Sequence, residues 1–146
     1  MKIYLLCPVR LATKRVKTLL TNYVEDLEKE GHEIFYPARD NPYEEVDDIG
    51  DQICLANTTA ILEADEVHIY WEKESRGSKF DLGVVYTAWK PIIILNKLDT
   101  SNHGPTFEKF MLNWPFGVEV RLIDIEEMDE VEQSLVHERL RALGYE

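Results

Sequence analysis

The stretch EVHIYWEKESRGSKFDLGVVYTAWKPIIILN, residues 66–96, decides the fold. It begins with a short apolar run and ends with the β-branched run KPIIILN (90–96), and both are typical of buried strands. Between them Phe80, Val84 and Ala88 recur at a spacing of four, which predicts a helix. A strand, a helix and a further strand in this order predict a right-handed βαβ unit with parallel strands.

The same alternation runs through the rest of the chain. Strands are predicted at 2–8, 32–37, 66–71, 90–96 and 117–123. Further helices are predicted at 16–27, about 46–63, 106–114 and in an acidic tail that carries Met128, Val131, Leu135 and Val136. The helix at about 46–63 is expected to bury Ile49, Ile53, Ala60, Ile61 and Leu62. The stretch between the second strand and this helix, 38–48, is predicted to be a polar loop.

Length and composition narrow the class of protein. A chain of 146 residues without linker or repeat predicts one domain, 1–146, on a mostly parallel sheet. The net charge of −12 argues against a nucleic-acid polymer as partner, because such binding depends on Lys and Arg neutralising phosphates. No apolar run approaches the roughly 20 residues of a membrane span. The two cysteines, Cys7 and Cys54, suggest no disulfide framework, so we expect a reduced, cytoplasmic protein without membrane contact.

No metal or cofactor is expected. The four histidines are scattered and lack the spacing of metal ligands, so each is interpreted as structural or exposed. The chain has neither a Walker loop nor a GxGxxG fingerprint.

Three polar segments are expected to meet at one edge of the sheet. They follow the first three strands: CPVR (7–10), YPARDN (36–41) and WEKESRGSKFD (71–81). In parallel sheets, ligands bind beyond the carboxyl ends of the strands, near the switch in strand order. The topology therefore predicts the ligand site at these segments.

The segment from Ser75 to Asp81 allows two interpretations. A helix N-terminus with Gly77 and the hydroxyls of Ser75 and Ser78 suits a phosphate or a carboxylate. The spacing Ser78-x-x-Asp81 also resembles a capping box, with Ser78 as N-cap and Asp81 at the third helical position. Both interpretations stay open on the local pattern alone.

Two residues of the first segment pose a similar choice. Arg10 follows the first strand, where it is either a phosphate ligand or an ordinary surface residue. Tyr4, within that strand, either reaches the site or fills the core.

Four short motifs resemble one enzyme family in their order and spacing. They are KIYLLCPVR (2–10), Ala64-Asp65 before the third strand, GSKFDLG (77–83) and WKPIII (89–94). The chain thereby resembles the nucleoside 2-deoxyribosyltransferase family, nearest to its nucleotide 5′-monophosphate N-glycosidase branch. The resemblance covers roughly residues 1–96.

The resemblance implies a fold, an assembly and a reaction. The fold is a flavodoxin-like or Rossmann-like doubly wound α/β sheet with helices on both faces. The assembly is a homo-oligomer, a dimer or larger, in which neighbours complete each site. The reaction cleaves or transfers the N-glycosidic bond of a (deoxy)nucleoside or nucleotide through a carboxylate nucleophile that forms a glycosyl-enzyme intermediate.

The resemblance also assigns the catalytic positions, two of them with changed residues. The nucleophile position holds Asp81 where the family has Glu, one methylene longer. Asn57, eight residues before Asp65, stands where the family has a second acid, and an amide is no general acid. Tyr4 matches the tyrosine that positions the nucleophile.

The binding positions match the nucleotide branch better. Ser75 stands where that branch has Ser, compatible with a 5′-phosphate, and Arg10 matches its first-loop Arg. Gly77 and Ser78 would add N–H groups to the phosphate site. Cys7 and Pro8 replace small or hydroxyl residues in the first substrate-binding loop.

Three functions follow from these assignments. The leading hypothesis is an enzyme that acts on the N-glycosidic bond of nucleoside 5′-monophosphates. The alternative is a non-catalytic nucleotide-binding or sensing protein on the same fold, because Asp81 and Asn57 replace the family's acids. The third is an α/β protein in which the segment around Ser78 only caps a helix.

Overall fold

A computed structural model describes residues 1–124, 135, 137–139 and 141–144, and its centre is a five-stranded parallel sheet. The strands are β1 (Lys2–Leu6), β2 (Glu33–Phe35), β3 (Glu66–Ile69), β4 (Ile92–Ile94) and β5 (Val118–Val120). The helices are α1 (Lys14–Lys29), α2 (Pro37–Asp40), α3 (Asp51–Glu63), α4 (Arg76–Thr87) and α5 (Phe107–Leu112). The strand order β2-β1-β3-β4-β5 is that of flavodoxin-like folds, so the predicted fold class is confirmed.

Helices cover both faces of the sheet, because side chains alternate along each strand. Ile3 and Leu5 of β1 pack with the buried face of α1. Tyr4 and Leu6 point to the opposite face, into a core shared with α3, α4 and α5. The side chain of Tyr4 is therefore fully buried on the side of the sheet that carries α4.

The predicted helix at about 46–63 begins later than expected, at Asp51. The carboxylate of Asp47 accepts hydrogen bonds from the backbone N–H groups of Ile49, Gly50 and Ile53. These bonds fold the preceding residues into a turn, and Gly50 takes a left-handed backbone conformation (φ 98°) that suits glycine. The stretch 46–50 is therefore a turn held by one side chain.

Part of the expected core of that helix is wrong. Ile61 is fully buried, but Ile49 is 89% exposed and Leu62 is 57% exposed. Ile49 lies in the turn before α3, where no helical periodicity applies. The first residues of the predicted loop at 38–48 are helical instead. They belong to the short helix α2, which has Pro37 as its first residue.

The predicted C-terminal helix lies mostly outside the described residues, which include Leu135 but not Met128, Val131 or Val136. Leu135 is helical and exposed. Across the described ranges, no helix is both long enough and apolar enough to cross a bilayer.

Candidate active site

A cavity of about 450 Å³ opens beyond the carboxyl ends of β1 and β3. All three segments expected at this edge contribute to its wall, as does α3. Among the residues that line it are Cys7, Arg10, Pro37, Glu44, Asn57, Ser75, Gly77, Ser78 and Asp81. Two of the residues predicted for the site, Tyr4 and Pro8, are buried and do not line this cavity. The three segments therefore meet at this edge, as predicted. The volume of the cavity lies in the range of small-molecule sites.

Asp81 of α4 is the buried carboxylate of this cavity, 7% exposed. The Tyr4 hydroxyl donates a hydrogen bond of 2.7 Å to its Oδ2 atom. The Nδ2 atom of Asn57 donates to the same oxygen at 3.5 Å, a longer and weaker contact. In the part of the chain that the structure describes, both hydrogen bonds to this carboxylate fall on Oδ2 and none falls on Oδ1.

The surroundings of Asp81 shift its pKa. Burial raises its pKa to about 6, the hydrogen bond from Tyr4 opposes that rise, and the nearby charge of Glu44 adds to it. The hydrogen bond from Asn57 again favours the ionised form. At neutral pH the group is therefore mostly a carboxylate that has been partly stripped of water.

Asn41, the last residue of the expected segment 36–41 but not itself predicted as a site residue, fixes the orientation of Asn57. The backbone N–H of Tyr43 donates to Oδ1 of Asn41 at 3.0 Å, so the amide nitrogen of Asn41 must point the other way. That nitrogen donates to Oδ1 of Asn57 at 2.8 Å. Asn57 consequently presents its own NH₂ group to Asp81. In the sequence, Asn41 stands out only as the residue before Pro42 in the predicted polar loop 38–48.

The N-terminus of α4 forms another part of the wall, and the predicted capping box is wrong. Ser75, not Ser78, is the N-cap residue, and its Oγ accepts a hydrogen bond of 3.3 Å from the backbone N–H of Ser78. The helix begins one turn earlier than the capping box requires, so Asp81 lies in its second turn. The N–H groups of Arg76 and Gly77, the first two helical residues, are the ones that remain for an anion.

The side chain of Ser78 is available to bind a ligand. It is 2% exposed and lines the cavity. Its Oγ is buried and has no hydrogen-bond partner among the described residues. A buried hydroxyl without a partner is uncommon in proteins, and here a bound ligand would supply one.

The first loop supplies one thiol and one cation. Burial raises the pKa of the Cys7 thiol far above its usual value, so this thiol is a neutral wall group. Arg10 is exposed, and its Nη2 atom donates to the backbone carbonyl of Glu44 at 3.4 Å. Arg76, which was not predicted, adds a second guanidinium to the wall.

No metal centre is found in the described residues, since they contain no cluster of His, Cys, Asp and Glu suited to an ion. His68 illustrates the structural use of histidine. It is buried between the Tyr23 hydroxyl, 2.6 Å from Nδ1, and a Glu66 carboxylate oxygen, 2.8 Å from Nε2. Burial lowers the pKa of His68, which matches a neutral ring.

The chain is thus a flavodoxin-like α/β protein with a buried carboxylate at the switch in strand order. No protein-family model matches the sequence, and no curated protein matches it significantly. Solved structures do match. A 2-deoxyribosyltransferase from the psychrotolerant bacterium Bacillus psychrosaccharolyticus has a TM-score of 0.63 and 18% identity, covering 91% of this chain and 96% of its own.

A second similar structure is the Clostridium botulinum CMP N-glycosidase BcmB. It has a TM-score of 0.57 and 18% identity, and the match covers 96% of this chain and 100% of that one. The predicted likeness to nucleoside 2-deoxyribosyltransferases is therefore confirmed at the level of the fold.

Proposed function

We propose that this protein cleaves or transfers the N-glycosidic bond of a (deoxy)nucleoside 5′-monophosphate, with Asp81 as the nucleophile. The observation that carries the proposal is the pair of donors, Tyr4 and Asn57, that converge on one oxygen of this buried carboxylate. The activities named for the two similar structures, a nucleotide N-glycosidase and a deoxyribosyltransferase, support the same class of reaction.

The carboxylate suits nucleophilic attack at an anomeric carbon. With Oδ2 held by Tyr4 and Asn57, Oδ1 of Asp81 attacks C1′ of the sugar while the bond from C1′ to the base breaks. The negative charge beside C1′ also stabilises an oxocarbenium-like transition state. Water or a second base then displaces Asp81 from C1′, which gives hydrolysis or transfer.

The remaining walls suit a 5′-phosphate. The N-terminus of α4 offers the N–H groups of Arg76 and Gly77, at the positive end of the helix dipole. The hydroxyl of Ser75 accepts from within the helix and still has its own proton to donate. Arg10 brings a guanidinium, whose forked donors suit phosphate oxygens.

Base release tests the proposal. The protein is incubated with a panel of nucleoside and deoxynucleoside 5′-monophosphates, and free base is measured by chromatography. We expect release from at least one nucleotide and at least a 1,000-fold loss in Asp81→Asn, about the scale on which removing a catalytic nucleophile acts. Release that is unchanged in Asp81→Asn would contradict the role of Asp81.

A second candidate function is a nucleotide-binding protein without catalysis. The observation that favours it is the amide at position 57, where both polar atoms are used, one by Asn41 and one by Asp81. This candidate predicts thermal stabilisation by a nucleotide without base release. It also predicts a gain of activity when Asn57→Asp and Asp81→Glu are combined.

We propose in addition that the protein acts as a homo-oligomer. Aromatic side chains are exposed along α4, α5 and the turn after α4: Phe80, Tyr86, Trp89, Phe107 and Phe110. Tyr86 and Phe110 lie against each other, with ring centroids 5.4 Å apart, and contiguous exposed apolar groups are typical of protein interfaces. Light scattering coupled to size-exclusion chromatography tests this proposal, and a mass near 17.0 kDa would contradict it.

A further inference from the structure

A glycosidic bond to a nucleobase breaks slowly unless the departing nitrogen or its ring gains a proton, because the base is otherwise released as an anion. Enzymes that use a carboxylate nucleophile therefore pair it with a second group that acts as general acid. Asn57 lies beside Asp81, but its amide is no general acid, since it does not give up a proton at any relevant pH. The proposed reaction needs another acid in the same cavity.

The buried neighbours of Asp81 do not meet this need. The Tyr4 proton is already directed at Oδ2 of Asp81, and burial raises the Tyr4 pKa well above its usual value of 10.0. The Cys7 thiol is likewise too weak an acid, because burial holds its proton. Arginine side chains stay charged at any relevant pH and do not act as acids.

Apart from Asp81, the described wall of the cavity carries two carboxyl groups, Glu44 and Glu74. Glu74 is exposed to water and directly precedes the N-cap Ser75. Glu44, by contrast, is half-buried and lies in the turn between α2 and α3, on a different wall from α4. Glu44 is close enough to Asp81, Cys7 and Cys54 for its charge to raise the pKa of each, and it lines the same cavity as all three.

The surroundings of Glu44 shift its pKa upward. Burial raises this pKa above its usual value, and the guanidinium of Arg10 opposes that rise. A base that enters between this turn and Asp81 would displace water and strengthen the effect of burial.

We propose that Glu44 is the general acid and base of the reaction, the group that protonates the departing nucleobase. The inference rests on the proposed function, since it concerns the same cavity and the same bond. In this assignment, Asp81 attacks the sugar and Glu44 transfers a proton to the departing nucleobase.

The steps balance as follows. A lone pair of Asp81 Oδ1 forms the bond to C1′, and the electron pair of the C1′–N bond passes to the base. The base takes the proton of the Glu44 carboxyl group and leaves as a neutral molecule, so Glu44 becomes a carboxylate. In the second half, that carboxylate takes a proton from water, or from the N–H of an incoming base, as the new bond to C1′ forms and Asp81 is released.

Two substrates that share a sugar phosphate test this assignment. One is the nucleotide from which the wild-type protein releases base fastest. The other is the 4-nitrophenyl glycoside of the same sugar 5-phosphate, whose leaving group departs as a stable anion and needs no proton. The variants are Glu44→Gln, the matched control Glu45→Gln in the same turn and outside this cavity, and Asp81→Asn. Thermal unfolding of each variant monitors folding.

We expect Glu44→Gln to lose at least 100-fold in kcat/KM on the nucleotide, within the range that general acid catalysis contributes, and less than fivefold on the nitrophenyl glycoside. Glu45→Gln should match the wild type on both, and Asp81→Asn should lose both. Equal losses on the two substrates in Glu44→Gln, or none on either, would overturn the role of Glu44 alone. Wild-type protein that cleaves neither substrate would overturn the proposed function and this inference together.

Discussion

Tyr4 on β1 and Asp81 on α4 are 77 positions apart in the sequence, and the Tyr4 hydroxyl donates a 2.7 Å hydrogen bond to Oδ2 of Asp81. The bond forms because Tyr4 points to the face of the sheet that α4 covers, and both side chains are buried there. The ionised form of a buried carboxylate is stabilised mainly by the few hydrogen-bond donors around it. The first prediction follows from this dependence.

Tyr4→Phe removes the stronger donor and should raise the pKa of Asp81 above about 6. A hydrogen bond to a charged group contributes about 1.5–3 kcal/mol, which corresponds to a rise of about one to two pKa units. The acid limb of the kcat/KM profile for base release should move upward by that amount. Tyr86→Phe, on the exposed face of the same helix, is the control and should leave the profile unchanged. An unmoved limb in Tyr4→Phe would show that this bond does not tune Asp81.

The buried charge of Asp81 should cost stability at neutral pH. Its pKa rises from 3.8 in the unfolded chain to about 6 in the folded one, so the unfolded state releases the proton first. The stability that the protonated form contributes is complete below pH 3.8 and is lost as the pH rises through 6. Asp81→Asn, which stays neutral, should therefore be more stable than the wild type by about 2–3 kcal/mol at pH 7. The gain should vanish near pH 3.5.

Denaturant unfolding at the two pH values measures this difference. The exposed Asp48→Asn serves as control and should change stability little at either pH. A destabilised Asp81→Asn at pH 7 would mean that its hydrogen bonds outweigh the cost of burying the charge.

The sheet and the edge that carries the cavity were predictable from the sequence because both follow from local patterns. The run at Ile92–Ile94 has no competing helical periodicity, and parallel topology then places the loops after β1, β2 and β3 together. The start of α3 was not predictable in the same way. Asp47 satisfies N–H groups up to six positions ahead, and hydrophobic periodicity carries no information about such a bond.

Within the cavity, too, local motifs were predictable from the sequence and side-chain bonds between distant elements were not. Asp81 and Ser75 could be predicted as site residues because their spacing around Gly77 belongs to a short local motif. Asn41 was missed because its importance depends on a side-chain bond to Asn57, 16 positions away on another element. The third prediction tests that bond.

Asn41→Asp should reverse the amide of Asn57. Aspartate still accepts from the N–H of Tyr43, but it offers Asn57 an acceptor in place of a donor. If Asn57 turns its NH₂ group toward position 41, it can donate a hydrogen bond to the new carboxylate. Its oxygen then faces Asp81. Because a donor is exchanged for a repulsive acceptor, we expect kcat for base release at pH 7 to fall about 10- to 100-fold, the scale of one hydrogen bond to a charge.

The pH profile separates this effect from general damage to the fold. In Asn41→Asp the acid limb of kcat/KM should shift upward together with the fall in kcat. Asn22→Asp, an exposed change of the same chemistry on α1, should alter neither. A lowered kcat with an unmoved acid limb would indicate that Asn41 acts only through the shape of the loop.

Ser75→Asp should exchange a preference for nucleotides for a preference for nucleosides. Aspartate caps helices as well as serine does, so α4 should still begin at Arg76 and stability should change by less than about 0.5 kcal/mol. Its negative charge would repel a 5′-phosphate and accept a hydrogen bond from a free 5′-hydroxyl. We expect kcat/KM for the 5′-monophosphate to fall at least 100-fold, mostly through KM, and kcat/KM for the matching nucleoside to rise. Ser75→Ala, which removes the hydroxyl without adding charge, should weaken nucleotide binding and bring no gain on the nucleoside. If Ser75→Asp retained its preference for the nucleotide, the phosphate would have to bind away from the N-terminus of α4, and Arg10 would become the next residue to replace.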